Sequence, residues 1–175
     1  PRANLYFGAG GVLWALEQLR RAGFVEPARA LGQAHEPALE SLLGRLVATN
    51  KRFTDAWGHG EQSWLMGKSG LLMLRWQHGH WAPDALELYE AVEANLHNPA
   101  LEALIGSPGT MLAALFMAES TGEPRWQELF QRAVQILWDS MAFDTTLGAW
   151  LWTQDLYGRR RQFLGGGHGF AGNLL

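Results

Sequence analysis

Residues 106–117 read GSPGTMLAALFM, a tetrad of the form Gly-x-x-Gly that runs directly into an apolar stretch. The same arrangement occurs three more times, so that four tetrads begin at Gly8, Gly67, Gly106 and Gly169. A unit that recurs along a chain is typical of a repeat architecture, in which each copy packs against its neighbours.

The apolar stretches differ in pattern from the segments between them. No polar residue interrupts residues 111–118, so this helix is expected to be buried on all sides. Residues 84–96 instead place apolar side chains at helical spacing, with the acidic residues and Asn95 on the other side, which predicts a surface helix with one core-facing stripe. Residues 126–141 repeat this pattern, and residues 37–47 do so more loosely.

The chain therefore alternates between buried and amphipathic helices, as an inner ring of helices wrapped by an outer ring does. We expect an all-α fold, an α/α toroid that is incomplete in this chain, with residues 1–175 forming a single domain. The tetrads would mark the entrance to each inner helix, because glycine permits close backbone approach and conformations that a Cβ forbids. The helix N-termini would then gather at one mouth and favour an anionic or polar ligand.

The composition argues against several classes of protein. The net charge is −3 and the basic residues are scattered apart from residues 159–161, so no nucleic-acid surface is expected. No apolar run approaches the roughly 20 residues that span a bilayer, and no signal peptide is recognised at the start. The absence of cysteine removes disulfides and thiolate chemistry and fits a cytoplasmic location.

The fourth tetrad alone has a histidine, His168, directly before its first glycine. Because only glycines flank this histidine, it can lie close to a ligand and act as an acid or base near neutral pH. The alternative is that its ring caps the helix that follows. Residues 167–172 also match G-x-G-x-x-G, but a dinucleotide site needs a βαβ pattern, which the sequence lacks.

Residues 143–167 are expected to form a short hairpin or an ordered loop. Within it, Asp155 could orient His168 or carry a second proton, or it could cap a turn with the neighbouring aromatic residues in the core. The arginines at 159–161 could contact a phosphate or a carboxylate, or they could form a solvated turn.

His59, His78 and His80 are the other histidines that could bind a metal. Two histidines at this spacing with no third ligand identified make a weak site, and the nearby Trp76 and Trp81 favour a helix end instead. We therefore assign no residue to a metal.

Four stretches resemble the lanthionine synthetase C-like (LanC-like) family: FGAGGVLWAL, LMGKSGLLML, IGSPGTMLAALFMAESTGEPRW and above all WTQDLYGRRRQFLGGGHGFAGN. The last is the most specific, because the His-Gly-x-x-Gly motif of the family directly follows an aromatic loop. The resemblance implies a toroid of seven inner and seven outer helices, of which this chain would supply about the first four repeats. It also makes His168 the active-site histidine.

In the bacterial cyclases of this family, a zinc ion held by two cysteines and a histidine activates a peptide thiol for addition to a dehydroamino acid. The resemblance thus implies a peptide or small thiol as substrate and zinc as the cofactor of the full-length family. Those ligands belong to later repeats, so this chain alone is expected to bind no zinc in the family manner and to be inactive. The candidate site residues are His168, Asp155 and Tyr157 as catalytic residues and Trp152, Arg159 and Gly169 as substrate-binding residues.

Two other functions remain open. A carbohydrate-active toroid would pair Asp155 with a second carboxylate, such as Glu61, roughly 5 to 10 Å away. A non-catalytic scaffold that binds peptides or thiols would be unaffected by His168→Ala. In either case the outermost helices would leave apolar sides uncovered, at roughly 1.5 to 3 kcal/mol per large side chain, so we expect self-association through that edge.

Overall fold

The computed structural model describes residues 2–24, 36–54 and 60–174, with the backbone alone for residues 36–39 and 52–54. The described chain is mostly helical. Its helices are α1 (Ala9–Arg21), α2 (Glu36–Thr54), α3 (Ser69–Gly79), α4 (Ala82–Ala94), α5 (Ser107–Thr121), α6 (Pro124–Asp139) and α7 (Phe170–Asn173). Its strands are β1 (Ala142–Asp144), β2 (Ala149–Leu151), β3 (Gln154–Leu156) and β4 (Arg159–Arg161). The expected all-α class is correct for the helices, and the hairpin or ordered loop expected for residues 143–167 is found as two antiparallel hairpins.

All four odd-numbered helices begin inside a glycine tetrad, at Ala9, Ser69, Ser107 and Phe170. The even-numbered helices occupy the segments between the tetrads. The tetrads are thus the entrances to one set of helices, as the sequence predicts. None of the helices that the structure describes is long and apolar enough to cross a membrane.

α1, α3 and α5 pack against one another in chain order, and the even-numbered helices pack against them. α3 contacts both α1 and α5, while α2 and α4 pack against α3, and α4 and α6 pack against α5. The largest core cluster joins α3 to α6 and includes the fully buried Leu72, Leu88, Met117 and Trp126. The predicted apolar stripe of α4 faces this core.

The outermost odd-numbered helices are not buried on every side. α3 is enclosed as expected, with residues 71–74 all buried. In α5, however, Leu112 and Leu115 are 49% and 37% exposed, so the prediction of burial all round is wrong there. α1 likewise exposes Val12 and Trp14. Among the described residues no long helix covers these sides, and the predicted self-association would use them.

The end of α4 is tied to the third tetrad by buried asparagines. Asn95 is only 2% exposed, which corrects its expected place on the solvent side. Its side-chain amide donates to the carbonyl of Ile105 and to the hydroxyl of Thr110, both at 3.3 Å, and Asn98 donates to Asn95 at 2.8 Å. The helical pattern misplaces Asn95 because α4 ends at Ala94 and Asn95 is its C-cap.

The segment between α6 and α7 forms two antiparallel hairpins, β1–β2 and β3–β4. The β3–β4 turn has positive φ at both Tyr157 (55°) and Gly158 (72°), as a two-residue type I′ turn requires. The backbone N–H of Asp155 donates to the carbonyl of Pro99 at 2.8 Å, which anchors this hairpin beside the third tetrad. Because both sheets are antiparallel hairpins, the βαβ unit of a dinucleotide site is not found in the described residues.

Candidate functional site

The loop that precedes each tetrad packs directly against the backbone of the tetrad. In every tetrad, a Cβ on the glycine at the fourth position would collide with the carbonyl oxygen of the residue six positions earlier. The colliding pairs are Gly11 with Leu5, Gly70 with Trp64, Gly109 with Ala103, and Gly172 with Gly166. None of the tetrad glycines has a positive φ. Close approach of the backbone therefore explains these glycines, whereas the predicted need for an unusual conformation is wrong.

A second contact recurs at the start of the tetrads. The N–H of the second tetrad residue donates to the carbonyl seven residues earlier in three copies. These bonds run from Ala9 to Arg2 at 3.1 Å, from Lys68 to Glu61 at 2.8 Å and from Phe170 to Phe163 at 2.9 Å. All four tetrads share the close approach of the last glycine to the preceding loop, which we call the tetrad hook, and three of them add this hydrogen bond.

The side chains of the hook differ between copies at two positions. Four residues before the first glycine, the first three copies have fully buried polar side chains, Asn4, Ser63 and Glu102, whereas the fourth has Gly165. Directly before the first glycine, the first three copies have the apolar residues Phe7, Met66 and Ile105, and the fourth has His168. The chemistry of the third and fourth copies is therefore different from that of the others.

The two exceptional side chains, Glu102 of the third copy and His168 of the fourth, are hydrogen-bonded to each other. The Nδ1–H of His168 donates to the carboxylate of Glu102, with 2.8 Å between the two heavy atoms. Since a carboxylate only accepts hydrogen bonds, the proton of a neutral ring lies on Nδ1, and Nε2 remains available to take a proton. The His168 side chain is 40% exposed, so this nitrogen is within reach of a ligand.

Glu102 is held rigidly while it orients the histidine. Its carboxylate accepts the backbone N–H groups of Leu104, Ile105 and Gly106 at 3.1, 2.5 and 3.3 Å, and its side chain is fully buried. The amides offset the cost of burying a carboxylate, because charge-assisted hydrogen bonds are the stronger ones. Three of its four donors are backbone groups of its own loop, which fixes the carboxylate in place for His168.

Further contacts hold α7 beside the third tetrad. The side-chain amide of Asn173 donates to the carbonyl of Leu101 at 3.0 Å, and the rings of Phe163 and His168 lie 6.3 Å apart. Leu101 has a φ of 46°, which costs roughly 1–2 kcal/mol for a residue with a Cβ. This strained residue directly precedes Glu102.

Tyr157 lies near the same carboxylate. Its pKa is raised above the usual value, first by burial, then by the charge of Glu102 and by Tyr6. The phenol is nonetheless 63% exposed at the tip of the β3–β4 hairpin. Its raised pKa keeps it protonated, and therefore able to donate a hydrogen bond. Of the predicted catalytic residues, His168 contacts Glu102 directly, and Tyr157 is influenced by the charge of the same carboxylate.

The expected alternative role of His168 as a helix cap is not observed. The N-cap of α7 is Gly169, and no side chain caps it. A Cβ on Gly169 would collide with the carbonyl of Phe163, so this glycine serves the hook. The ring of His168 bonds to Glu102 instead, 66 positions away in the chain.

Asp155 does not orient His168. No hydrogen bond or ion pair in the described residues joins the two side chains, and Glu102 occupies the position that the sequence analysis considered for Asp155. The carboxylate of Glu61 lies 3.8 Å from Lys51, and none of the described contacts links it with Asp155. A carbohydrate-active site needs its two carboxylates roughly 5 to 10 Å apart, which is too far for a direct contact, so that alternative stays a prediction.

Trp152 lies in the core under α7. It is 2% exposed, its indole N–H donates to the carbonyl of Leu137 at 2.7 Å, and its ring packs on Phe170 at 4.9 Å. The alternative in which the aromatic residues of this segment form core is therefore correct for Trp152, whereas Trp150 and Tyr157 are exposed. Arg159, by contrast, is exposed on β4.

A cavity of about 470 Å³ lies beside the fourth tetrad, lined by Gly172 and Asn173 on one side and by Leu112 and Leu115 on the other. His168 is not among its lining residues. A ligand would consequently reach the histidine from the open surface rather than through this cavity.

The residues examined as metal ligands do not form a site in the described ranges. His80 is the C-cap of α3, and its ring stands edge-on to Trp76 at 4.6 Å, so a helix end is found where the sequence favours one. His59 lies outside the described residues. The chain has no cysteine, and no three histidine, aspartate or glutamate side chains of the described residues are placed to hold a metal.

Sequence reasoning missed Glu102, the residue that organises the site. It belongs to no motif, and its partner follows 66 positions later. Alignment of the four tetrads would have drawn attention to it, because a polar residue recurs four positions before the glycine in an otherwise apolar context. Comparisons of the chain with protein-family models, curated proteins and solved structures found no match.

Proposed function

We propose that this chain is part of a LanC-like α/α toroid in which His168 is the acid/base residue for the addition of a thiol to a dehydroamino acid. The observation that carries the proposal is the hydrogen bond between Glu102 and His168 of adjacent tetrads. The row of odd-numbered helices covered by even-numbered ones supports the toroid. A peptide or small thiol as substrate and a cytoplasmic location belong to the same proposal.

The site can carry the proton of this reaction. Nε2 of His168 takes the proton of the thiol, and the sulfur forms a bond to Cβ of the dehydroamino acid while the electrons of the double bond move into an enolate. The imidazolium then returns the proton to Cα, so that no net proton is gained or lost. Glu102 holds the ring and stabilises the imidazolium between these two steps.

Tyr157 has a separate part in the proposal. Because burial and the charge of Glu102 raise its pKa, its phenol remains a hydrogen-bond donor. A donor at this position stabilises the negative charge that develops on the enolate oxygen. Tyr157 would thus act on the oxygen while His168 acts on the carbon.

Zinc supplies thiol activation in the full-length family. The described residues do not fit this ion, because the chain has no cysteine and no group of three suitable side chains is found in those ranges. No step of the proposal therefore passes through a metal.

The configuration at Cα of the product tests the proposal without zinc. A cysteine thiol adds slowly to a dehydroalanine peptide in water and gives both configurations at Cα. With the protein in excess over the peptide, we expect one configuration to predominate, because His168 delivers the proton from one side. His168→Ala should return the mixture found without protein.

The matched control is His80→Ala, since His80 caps α3 and lies outside the site. This variant should preserve the excess of one configuration, and Glu102→Gln should reduce it. A mixture of both configurations with the wild-type protein, or an excess that survives His168→Ala, would rule out the assigned role of His168.

A further inference from the structure

Three consecutive arginines on β4 lack the ion pairs that other arginines of the chain make. Five described arginines are paired with carboxylates. They are Arg20 and Arg21 with Glu17, Arg75 with Asp84, Arg125 with Glu123, and Arg132 with Glu93. Arg159, Arg160 and Arg161 are all exposed and form no ion pair within the described part of the chain. A basic strand in a chain of net charge −3 is a local feature that no ion pair among the described residues neutralises.

β4 is also the free edge of its sheet. Asp155 and Arg160 are register partners, and the N–H of Asp155 donates out of the sheet to Pro99. This pair is therefore the type whose backbone groups point away from the partner strand. The carbonyl of Arg160 accepts a bond from the Arg161 guanidinium at 3.1 Å, and the N–H of Arg160 faces outward from β4.

The basic edge lies next to the proposed site. The turn that joins β3 to β4 contains Tyr157, whose pKa is raised in part by the Glu102 carboxylate. Two residues after β4, the ring of Phe163 lies 6.3 Å from that of His168. A chain that runs along β4 would pass beside both residues.

We propose that β4 binds an acidic peptide in extended conformation, which adds to the β3–β4 sheet as a third strand. The peptide backbone pairs with the outward N–H of Arg160, and it takes over the Arg160 carbonyl when the Arg161 guanidinium turns to a carboxylate of the peptide. Arg159 and Arg161 lie two residues apart on one face of the strand, so they match carboxylates at alternate positions of the peptide. The inference rests on the proposed function in one respect, which is that the bound peptide is taken to be the substrate.

Fluorescence anisotropy with a labelled peptide of alternating glutamate and valine tests the binding. We expect Arg159→Gln/Arg161→Gln to weaken binding about tenfold at low salt. The matched control is Arg125→Gln/Arg132→Gln, which makes the same change in net charge on α6 and should alter the affinity by less than about twofold. Circular dichroism and thermal unfolding check that both variants are folded, as expected for exposed positions.

Three results would overturn the inference. Equal weakening by the two double variants would mean that overall charge, not β4, attracts the peptide. Equal affinity for a peptide that is N-methylated at alternate residues would exclude strand addition. Tighter binding of a single-stranded RNA of the same charge would assign the arginines to nucleic acid. If His168→Ala abolishes the excess of one configuration at Cα but leaves the peptide affinity unchanged, the binding site is supported, because the acid/base role is then separate from peptide binding.

Discussion

The first and third tetrads have the same hook and use it for different purposes. In the first, the buried Asn4 accepts one hydrogen bond, from the N–H of Phe7 at 3.1 Å, and its role is local. In the third, Glu102 accepts three N–H groups of its own loop and reaches His168 of the next tetrad. The comparison teaches that the hook is a structural device, and that Glu102 and His168, at two different positions of their copies, add a polar contact between neighbouring tetrads.

The largest expected effect comes from breaking the hook itself. Gly109→Ala would press a Cβ against the carbonyl of Ala103 in a buried loop, and we expect the free energy of unfolding to fall by about 3 kcal/mol. The control is Gly44→Ala in α2, where a Cβ meets no atom within 4 Å, and it should raise the free energy by about 0.5–1 kcal/mol. Urea unfolding followed by circular dichroism measures both, and equal stabilities would refute the steric account of the tetrads.

A second prediction separates the two copies by their buried polar residue. Glu102→Ala removes the acceptor of the Leu104 and Ile105 N–H groups and of the His168 ring, whereas the Gly106 N–H keeps the backbone carbonyl of residue 102 at 2.9 Å. We expect the free energy of unfolding to fall by about 2 kcal/mol. Asn4→Ala removes the side-chain acceptor of one N–H group, that of Phe7, and should cost about 1 kcal/mol. The same urea experiment compares them. If Asn4→Ala lowered the free energy of unfolding more than Glu102→Ala did, the buried carboxylate of the third tetrad would not be the more important of the two residues.

The third prediction concerns how the free energy of unfolding depends on pH through a second buried carboxylate, that of Glu17. Glu17 of α1 is held by arginines rather than by amides, and the hydrogen bond from Arg20 is the main reason why its pKa falls from 4.5 to about 2. A lowered pKa in the folded state means that Glu17 stabilises the protein above about pH 4.5 and that this contribution is lost as the pH falls through about 2. The shift corresponds to roughly 3 kcal/mol, which screening at the half-exposed arginines reduces to about 1–2 kcal/mol.

Unfolding measured at a series of pH values checks this prediction. Glu17→Gln should be less stable than the wild type near neutral pH, and the difference should shrink as the pH falls from about 4.5 to about 2. Glu119→Gln, at an exposed position of α5 without an ion pair in the described residues, is the control and should track the wild type. A constant difference between Glu17→Gln and the wild type over this range would contradict the assigned pKa.

Much of the fold is legible in the sequence because it depends on neighbours along the chain. The tetrads predict where the odd-numbered helices begin, and the spacing of Leu88 and Val92 predicts the buried face of α4. The turn at Tyr157 and Gly158 lies within the segment expected to form a hairpin. These features follow from backbone sterics and helical periodicity, which act over a few residues.

The failures lie where distant parts of the chain meet. Asn95 continues a helical pattern after the helix has ended, so its burial depends on the loop of Ile105. The sequence pattern predicts Leu112 and Leu115 to be buried in the core, but their exposure depends on which helices cover α5. Neither outcome is contained in the residues that surround these positions.

The sequence by itself determined where the odd-numbered helices begin and which segments between the tetrads form helices, because glycine sterics and apolar spacing are local properties. Only the tertiary structure decided that Glu102, and not Asp155, orients that histidine. The hydrogen bond joins residues 66 positions apart, and it forms because packing places the third and fourth tetrads side by side. Such a pairing depends on how whole helices stack, which no short stretch of sequence specifies.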